Sequence, residues 1–314
     1  MTQAHADRPL LGILLMLGFC VLIPFSDALA KLLGGVFPLL QLILIRFAAQ
    51  AGLLLPLALA RGAVIFPSIR VVRLAVIRTL LQICGISMMF SALRVLPLAD
   101  AVAIAFVMPF IMLILGHYVL KEEVGPRRLA ACAVGFVGTM MVVQPSFAAV
   151  GWPALLPLGV AVVFALFMLV TRQVAKDIDP IALQGLGGII GLPILLPLLA
   201  LPAVGGAPPL NGWVAPPDMA ALGLLVALGL TGTLGHLLMT WSLRFAPSAT
   251  LAPMQYLEIP VAALVGLMIF GEFPNGLALL GIAITVASGL YIVFRERNLS
   301  RSAARITPPA PPAG

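Results

Sequence analysis

The chain contains ten apolar stretches, each close to the length that a helix needs to cross a membrane. A bilayer core of about 30 Å is spanned by about 20 helical residues. The stretches lie approximately at 10–31, 37–59, 71–93, 98–119, 127–145, 152–173, 181–201, 219–241, 248–270 and 276–294. Only 9% of the residues are charged, whereas about a quarter are charged in soluble domains. The sequence therefore predicts an all-α polytopic membrane protein. It excludes a soluble enzyme, a nucleic-acid-binding protein and a disulfide-stapled secreted domain.

The distribution of basic residues predicts how the chain is oriented. Ten helices place both termini on one side of the membrane, and basic residues concentrate in cytoplasmic loops. If the termini are cytoplasmic, fourteen of the 18 Lys and Arg residues lie inside. The other four are Lys31 and Arg94 outside, and Arg46 and Arg78 within helices. We therefore predict a protein of the inner (plasma) membrane with a cytoplasmic N-terminal tail at 1–9 and a disordered cytoplasmic C-terminal tail at 295–314.

The first apolar stretch has one alternative interpretation. Arg8 precedes it, and it ends in Ala28-Leu29-Ala30, which has the form of a signal-peptide cleavage site. The stretch is longer than the apolar region of a usual signal peptide, so we expect it to remain as the first helix.

The two halves of the chain share a short sequence pattern. At an offset of 150 residues, Leu93-Arg94-x-x-Pro97-x-Ala99 aligns with Leu243-Arg244-x-x-Pro247-x-Ala249. This predicts two repeats, 10–145 with helices 1–5 and 146–294 with helices 6–10. Because five is an odd number, the second repeat must be inverted relative to the first. Two inverted five-helix repeats are common in secondary transporters, whose substrate site lies near the membrane midplane where the repeats meet.

Several short motifs resemble the EamA family of the drug/metabolite transporter superfamily. In the second half these are Gly235-His236-Leu237-Leu238, Arg244-Phe245-Ala246-Pro247-Ser248-Ala249, Ala252-Pro253-Met254-Gln255-Tyr256, Phe270-Gly271-Glu272 and Ser288-Gly289-Leu290-Tyr291. In the first half they are Ile45-Arg46-Phe47, Pro97-Leu98-Ala99, Pro109, Leu120-Lys121-Glu122-Glu123, Gly135-Phe136-Val137-Gly138 and Gln144-Pro145. The resemblance covers nearly the whole chain. It implies ten helices in two inverted repeats around a central cavity, and transport of small metabolites without ATP.

Polar residues inside the predicted helices are candidates for the transport site, because they are costly to place in lipid and usually face a bundle interior or a cavity. Glu258 is the first choice, with Gln255 three residues earlier on the same predicted helical face. Its carboxylate could bind a substrate amine or a proton, or form a structural ion pair with Arg46, Arg78 or His236. Tyr256 could contribute to an aromatic wall of the site. The remaining candidates are Asp27, Arg46, Arg78, Gln82 and His236.

Each of these candidates also has a structural interpretation. Asp27 could line the outer mouth of a cavity or contact Lys31 at i+4. Arg78 and Gln82 share one face of the third helix and could hold a substrate carboxylate, or Arg78 could extend to the cytoplasmic surface.

Two further candidates lie on the second and eighth helices. Arg46 needs a partner, for which Glu258 or Asp27 would serve, and we interpret it as a structural intramembrane charge. His236 could couple transport to protons, or it could be a helix-contact residue. The second interpretation rests on the row Gly229, Gly232 and Gly235, a spacing that favours close helix packing.

Glu122 and Glu272 occupy equivalent positions of the two halves, near the predicted N-termini of helices 5 and 10. There they would interact favourably with the helix dipoles, and we interpret them as structural.

Other classes of membrane protein lack support in the sequence. The chain has no G-x-G-D, no H-E-x-x-H and no phosphate-binding loop, so we expect no enzyme, no metal site and no cofactor.

The prediction is a secondary transporter of small amphipathic metabolites, with amino acids or related compounds preferred and export favoured. The alternative is an uptake or exchange carrier for S-adenosylmethionine or another nucleoside-containing metabolite. A non-transporting integral membrane protein or an intramembrane enzyme is the alternative of another class. Proton coupling and a monomer or homodimer in the lipid bilayer remain open.

Overall fold

The computed structural model describes residues 8–121, 125–201 and 210–306, and these ranges are built from helices joined by short loops. The helices are α1 (Pro9–Leu33), α2 (Leu39–Ala60), α3 (Ile69–Leu93), α4 (Leu98–Ala105), α5 (Met108–Leu120), α6 (Pro126–Val150), α7 (Leu156–Val174), α8 (Pro180–Leu199), α9 (Met219–Phe245), α10 (Ser248–Leu251), α11 (Glu258–Phe270) and α12 (Gly276–Ile306). Two 3₁₀ segments lie at Trp152–Leu155 and Ala252–Leu257.

Within these ranges, eight helices are long and apolar enough to cross a membrane. Two shorter apolar helices, Met254–Phe270 and Gly276–Tyr291, occupy the ninth and tenth predicted positions. The protein is therefore a multi-pass helical membrane protein, which confirms the predicted class. The count of ten crossings stays a prediction.

The fourth and ninth predicted helices are each broken near the middle. The sequence predicts helical spans over 98–119 and 248–270. In the structure Phe106 and Val107 separate α4 from α5, and the 3₁₀ segment Ala252–Leu257 precedes α11. Proline accounts for both interruptions, since its ring clashes with the carbonyl four residues earlier and it lacks an N–H. Pro109 and Pro260 stand in the first turns of α5 and α11, where the missing N–H costs little.

Four long helix pairs form the bundle. α1 packs along α9, α3 along α7, α2 along α8 and α6 along α12. The α2–α8 pair is antiparallel, because Gly185 lies beside Leu55 and Gly188 beside Ala51. A Cβ on Gly188 would lie 2.6 Å from the backbone nitrogen of Ala51, so only glycine permits this approach.

The α6–α12 pair is antiparallel as well. Thr285 donates to the carbonyl oxygen of Gly135 at 3.2 Å, and Gly138 lies against Gly281. The two helices therefore run in opposite directions across the bundle.

The predicted glycine row on α9 faces neighbouring helices. Gly229 lies beside Ala49, Gly232 beside Arg46 and Gly235 beside Ile23. This confirms the predicted close packing and places His236 at the contact between α9, α1 and α2.

The bundle has two ends, and each carries an ion pair. At the first end, where α1 begins and α9 finishes, the backbone N–H of Arg8 donates to the Phe245 carbonyl at 2.8 Å. Arg70 and Asp177 form an exposed ion pair there at 2.6 Å. At the second end, where α1 finishes and α9 begins, Lys31 and Glu272 pair at 2.5 Å.

These contacts bear on the interpretations of Asp27 and Glu272. Lys31 bonds to Glu272 and to the Leu96 carbonyl, not to Asp27. Glu272 does lie at a helix N-terminus, but it accepts the N–H of Leu98 at the start of α4 rather than capping α12. Glu122 lies outside the described residues.

The predicted tails lie partly outside the described ranges. Residues 1–7 and 307–314 are not described, while α12 continues to Ile306 where the sequence predicts disorder from 295. No proline interrupts the chain between Pro274 and Pro308, so the last helix can propagate beyond its apolar stretch.

Candidate functional site

A cavity lies among α1, α2, α3, α4, α5, α7, α9 and α11, between the middle of the bundle and its second end. Its polar lining residues are Asp27, Arg46, Gln82, His236 and Glu258. Its aromatic lining residues are Phe19, Phe90, Phe106 and Phe164. The lining therefore combines flat apolar rings with charges of both signs, which suits an amphipathic ligand.

The broken helices supply part of this lining. Phe106 lies in the interruption after α4, Met108 begins α5, and Glu258 begins α11. As the first residue of α11, Glu258 lies at the positive end of the helix dipole, which favours a negative charge. Interrupted helices of this kind form substrate and ion sites in many transporters.

The two acidic side chains of the cavity are buried. Asp27 is 4% exposed and Glu258 is 7% exposed. Among the described residues neither forms an ion pair within 4 Å, and Asp27 Oδ2 has no hydrogen-bond partner. Such carboxylates are costly to keep charged in an apolar surrounding. They can take up a proton or a cationic group of a ligand.

Arg46 contacts a histidine rather than a carboxylate. Its Nη2 lies 3.2 Å from His236 Nδ1, and its guanidinium lies 5.5 Å from the centre of the Phe90 ring. Neither Glu258 nor Asp27, the partners expected from the sequence, is within ion-pair distance in the described part of the chain.

His236 is held close to the backbone of its own helix. Its Nδ1 also lies 3.0 Å from the Gly232 carbonyl, a contact that needs a protonated Nδ1, whereas accepting from Arg46 needs an unprotonated one. Its Nε2 has no hydrogen-bond partner within the described ranges of the chain. The ring can therefore exchange one contact for the other when its proton moves.

Three predicted site residues lie behind the cavity lining. Arg78 is fully buried and bonded to neutral side chains, so it does not extend to the surface. Gln255 donates to Met168 Sδ at 3.2 Å and does not line the cavity. The ring of Tyr256 packs against Phe106, with centroids 5.5 Å apart.

Some residues of the site carry no clear sequence signal. Phe19 and Phe90 line the cavity, but aromatic residues are common throughout apolar helices. Asp100 is also buried, 8% exposed, but it accepts a hydrogen bond from Ser146 at 2.9 Å near the second end and does not line the cavity.

The fold and the cavity define a multi-pass helical membrane protein with a polar site between interrupted helices. The chain belongs to the EamA-like transporter family, whose model matches residues 10–144 and again 151–294. This confirms the resemblance noted in the sequence.

Similar proteins include two named transporters. The riboflavin transporter of Rhizobium johnstonii is 30% identical over 227 residues, which is 72% of each chain. The S-adenosylmethionine uptake transporter of Rickettsia bellii is 25% identical over 273 residues, 87% of this chain and 90% of its own. A crystal structure of a protein with 20% identity covers 93% of this chain and 98% of its own with a TM-score of 0.63, and thus shares the fold.

Proposed function

We propose that the protein is a secondary transporter that carries a small amphipathic metabolite with a heteroaromatic ring across the inner membrane. The observation that carries the proposal is the cavity, where four phenylalanine rings lie beside the carboxylates of Asp27 and Glu258 and the side chains of Arg46 and His236. A flat ring would stack among the phenylalanines, while a cationic group would bind Glu258 or Asp27. No chemical change of the substrate is proposed, and no cofactor or nucleic acid takes part.

An architecture of ten helices in two inverted repeats, 10–145 and 146–294, supports this mechanism by allowing alternating access. Three observations support this ten-helix architecture. One family model matches both halves, the equivalent helices α2 and α8 are antiparallel, and the interrupted helices begin again at Met108 and Glu258, 150 residues apart.

The size of the cavity requires movement during binding. It encloses about 80 Å³, whereas pockets for drug-sized ligands are roughly 300–1,000 Å³. A ring-bearing metabolite therefore binds only after the helices separate, which is the motion that alternating access provides.

The names of the relatives favour riboflavin and S-adenosylmethionine as the first test substrates, and uptake or exchange as the direction. Amino-acid export, the preference from the sequence, stays a prediction. We also propose that both termini are cytoplasmic and that Glu258, Asp27 and His236 couple transport to protons.

Flux into proteoliposomes tests the proposal. Purified protein is reconstituted without ATP, and labelled riboflavin, S-adenosylmethionine and leucine are followed with and without a pH gradient. We expect flux of at least one ring-bearing substrate. Glu258→Gln should reduce it to the level of protein-free vesicles while the folded protein remains.

The control is Asp179→Asn, a matched change at the N-cap of α8, where asparagine caps equally well. This variant should transport normally. Leucine flux without ring-bearing flux would overturn the substrate class. Normal flux in Glu258→Gln would overturn the site.

A further inference from the structure

The charge of Arg78 has no counter-charge in the described part of the chain. Arg78 is fully buried in α3. Its Nε donates to Thr171 Oγ1 at 2.9 Å, and its Nη2 donates to Gln184 Oε1 at 2.5 Å and Thr240 Oγ1 at 3.2 Å. Its guanidinium also lies 4.5 Å from the ring centre of Phe167. All these partners are neutral, and neither ion pair of the described residues includes Arg78. An unpaired buried charge costs several kcal/mol, so this position would be stabilised by an anion.

Three buried polar atoms at this position have no hydrogen-bond partner among the residues that the structure describes. They are Arg78 Nη1, Thr79 Oγ1 and Gln184 Nε2. The two nitrogens can only donate, and the hydroxyl can donate as well. Their missing partner is therefore a group that accepts hydrogen bonds. A water molecule would accept them but would leave the charge uncompensated.

Polar groups from two helices converge beside Gly187 on α8. A Cβ built on Gly187 lies 2.9 Å from Gln50 Nε2, 3.4 Å from Thr79 Oγ1 and 3.5 Å from Arg78 Nη1. Gln50 belongs to α2, and Thr79 and Arg78 belong to α3. Because residue 187 has no side chain, no atom of its own separates these groups.

A polar connection leads from the central cavity to this point. Gln82, which lines the cavity, lies one helical turn from Arg78 on α3. Its Nε2 lies 3.5 Å from Gln50 Oε1, and Gln50 Nε2 donates to the Gln184 carbonyl at 2.6 Å. Arg78 and Gly187 are not among the lining residues. An anion would therefore enter from the cavity when α3 moves slightly away from α8.

We infer that the point bounded by Arg78, Thr79 and Gly187 is an anion-binding site, distinct from the central cavity, for a small anion such as a carboxylate, a phosphate or a halide. The anion is either a free inorganic ion or the acidic group of a metabolite. The site goes beyond the proposed function, because anion binding here does not depend on which substrate the cavity carries.

Thermal unfolding of the purified full-length protein in detergent tests the site. Chloride, acetate or inorganic phosphate replaces the bulky sulfonate MES at constant ionic strength. A ligand that binds only the folded state raises its stability. We expect the unfolding midpoint to rise by about 3 °C at an anion concentration of about ten times the Kd.

Three variants separate the site from general salt effects. Gly187→Ala places a methyl group at the converging donors and should abolish the rise. Thr79→Val, which keeps the side-chain shape, should weaken it. Gly52→Ala on α2, where a Cβ meets no atom within 4 Å, should retain it.

The anions identify the source of the ligand. A response to chloride alone indicates a free halide, whereas a response to acetate or phosphate indicates an oxyanion such as the acidic group of a metabolite. Equal rises in Gly187→Ala and the unchanged protein, or no rise with any of the three anions, would overturn the inference. Neither result bears on flux through Glu258, so the two proposals fail separately.

Discussion

At the scale of single residues, Gly232 determines how Arg46 meets His236. A Cβ on Gly232 would lie 2.5 Å from Arg46 Nε and 2.6 Å from its Cζ. Gly232→Ala should therefore displace the guanidinium from His236 and cost about 1–3 kcal/mol, as overpacking of a core does. The unfolding midpoint in detergent measures the loss.

The control for this change is Gly223→Ala on the same helix. A Cβ there meets no atom within 4 Å, and alanine favours helix over glycine by up to about 1 kcal/mol. Gly223→Ala should be neutral or stabilising. A Gly232→Ala protein as stable as Gly223→Ala would contradict the described contact.

Polar groups are costly to place in lipid, and this cost makes much of the cavity lining predictable from the sequence. All five polar lining residues are candidates from the sequence because polar groups avoid lipid. They are Asp27, Arg46, Gln82, His236 and Glu258. The same argument does not separate Arg78 from Gln82, which share one face of α3. The way α3 packs against α7 and α8 brings only Gln82 to the cavity, and this packing depends on the whole bundle.

At the scale of helices, Pro260 maintains the interruption that places Glu258 in the cavity. Its ring clashes with the carbonyl of Tyr256 if the helix is continuous. Pro260→Ala removes the clash and restores an N–H, so α10 and α11 can join. We expect a protein of equal or higher thermal stability whose transport is reduced severalfold, because Glu258 then loses its place at a helix N-terminus.

Flux and the unfolding midpoint should be measured on the same preparation. The control is Pro193→Ala inside α8, which removes a helical proline at a residue that does not line the cavity, and it should transport normally. Unchanged flux in Pro260→Ala would show that the interruption does not position Glu258.

The apolar stretches predicted helix positions well and helix continuity poorly. The predicted 219–241 corresponds to α9 at Met219–Phe245, because the length of an apolar run reflects the bilayer. The interruptions at 106–107 and 252–257 lie within equally apolar sequence, where hydropathy carries no information on backbone hydrogen bonds. Pro109 and Pro260 are the sequence features that indicate these breaks, and each lies just after the interruption that it causes.

At the scale of the whole molecule, one ion pair joins the two halves of the chain across the second end. Lys31 donates to Glu272 at 2.5 Å and to the Leu96 carbonyl at 2.8 Å, and Glu272 accepts the N–H of Leu98 at 3.1 Å. The pair lies one turn of α1 beyond Asp27 and therefore between the cavity and this end. Because it connects α1 to both interrupted helices, it should hold the second end closed.

Lys31→Met should therefore shift the protein towards a conformation open at the second end. Partly exposed ion pairs contribute about 0.2–1 kcal/mol, so the open population should rise by up to about fivefold. Phe90→Cys, with Cys20, Cys84 and Cys132 replaced by alanine, reports this opening through its rate of labelling by a membrane-impermeant thiol reagent.

The control is Arg70→Met, which removes the exposed ion pair at the first end and should not accelerate labelling. Exchanging the charges with Lys31→Glu and Glu272→Lys restores the ion pair but not the hydrogen bonds to Leu96 and Leu98, so it should slow labelling only in part. Labelling of Lys31→Met at the original rate, or equal acceleration by Arg70→Met, would show that this ion pair does not control access to the cavity.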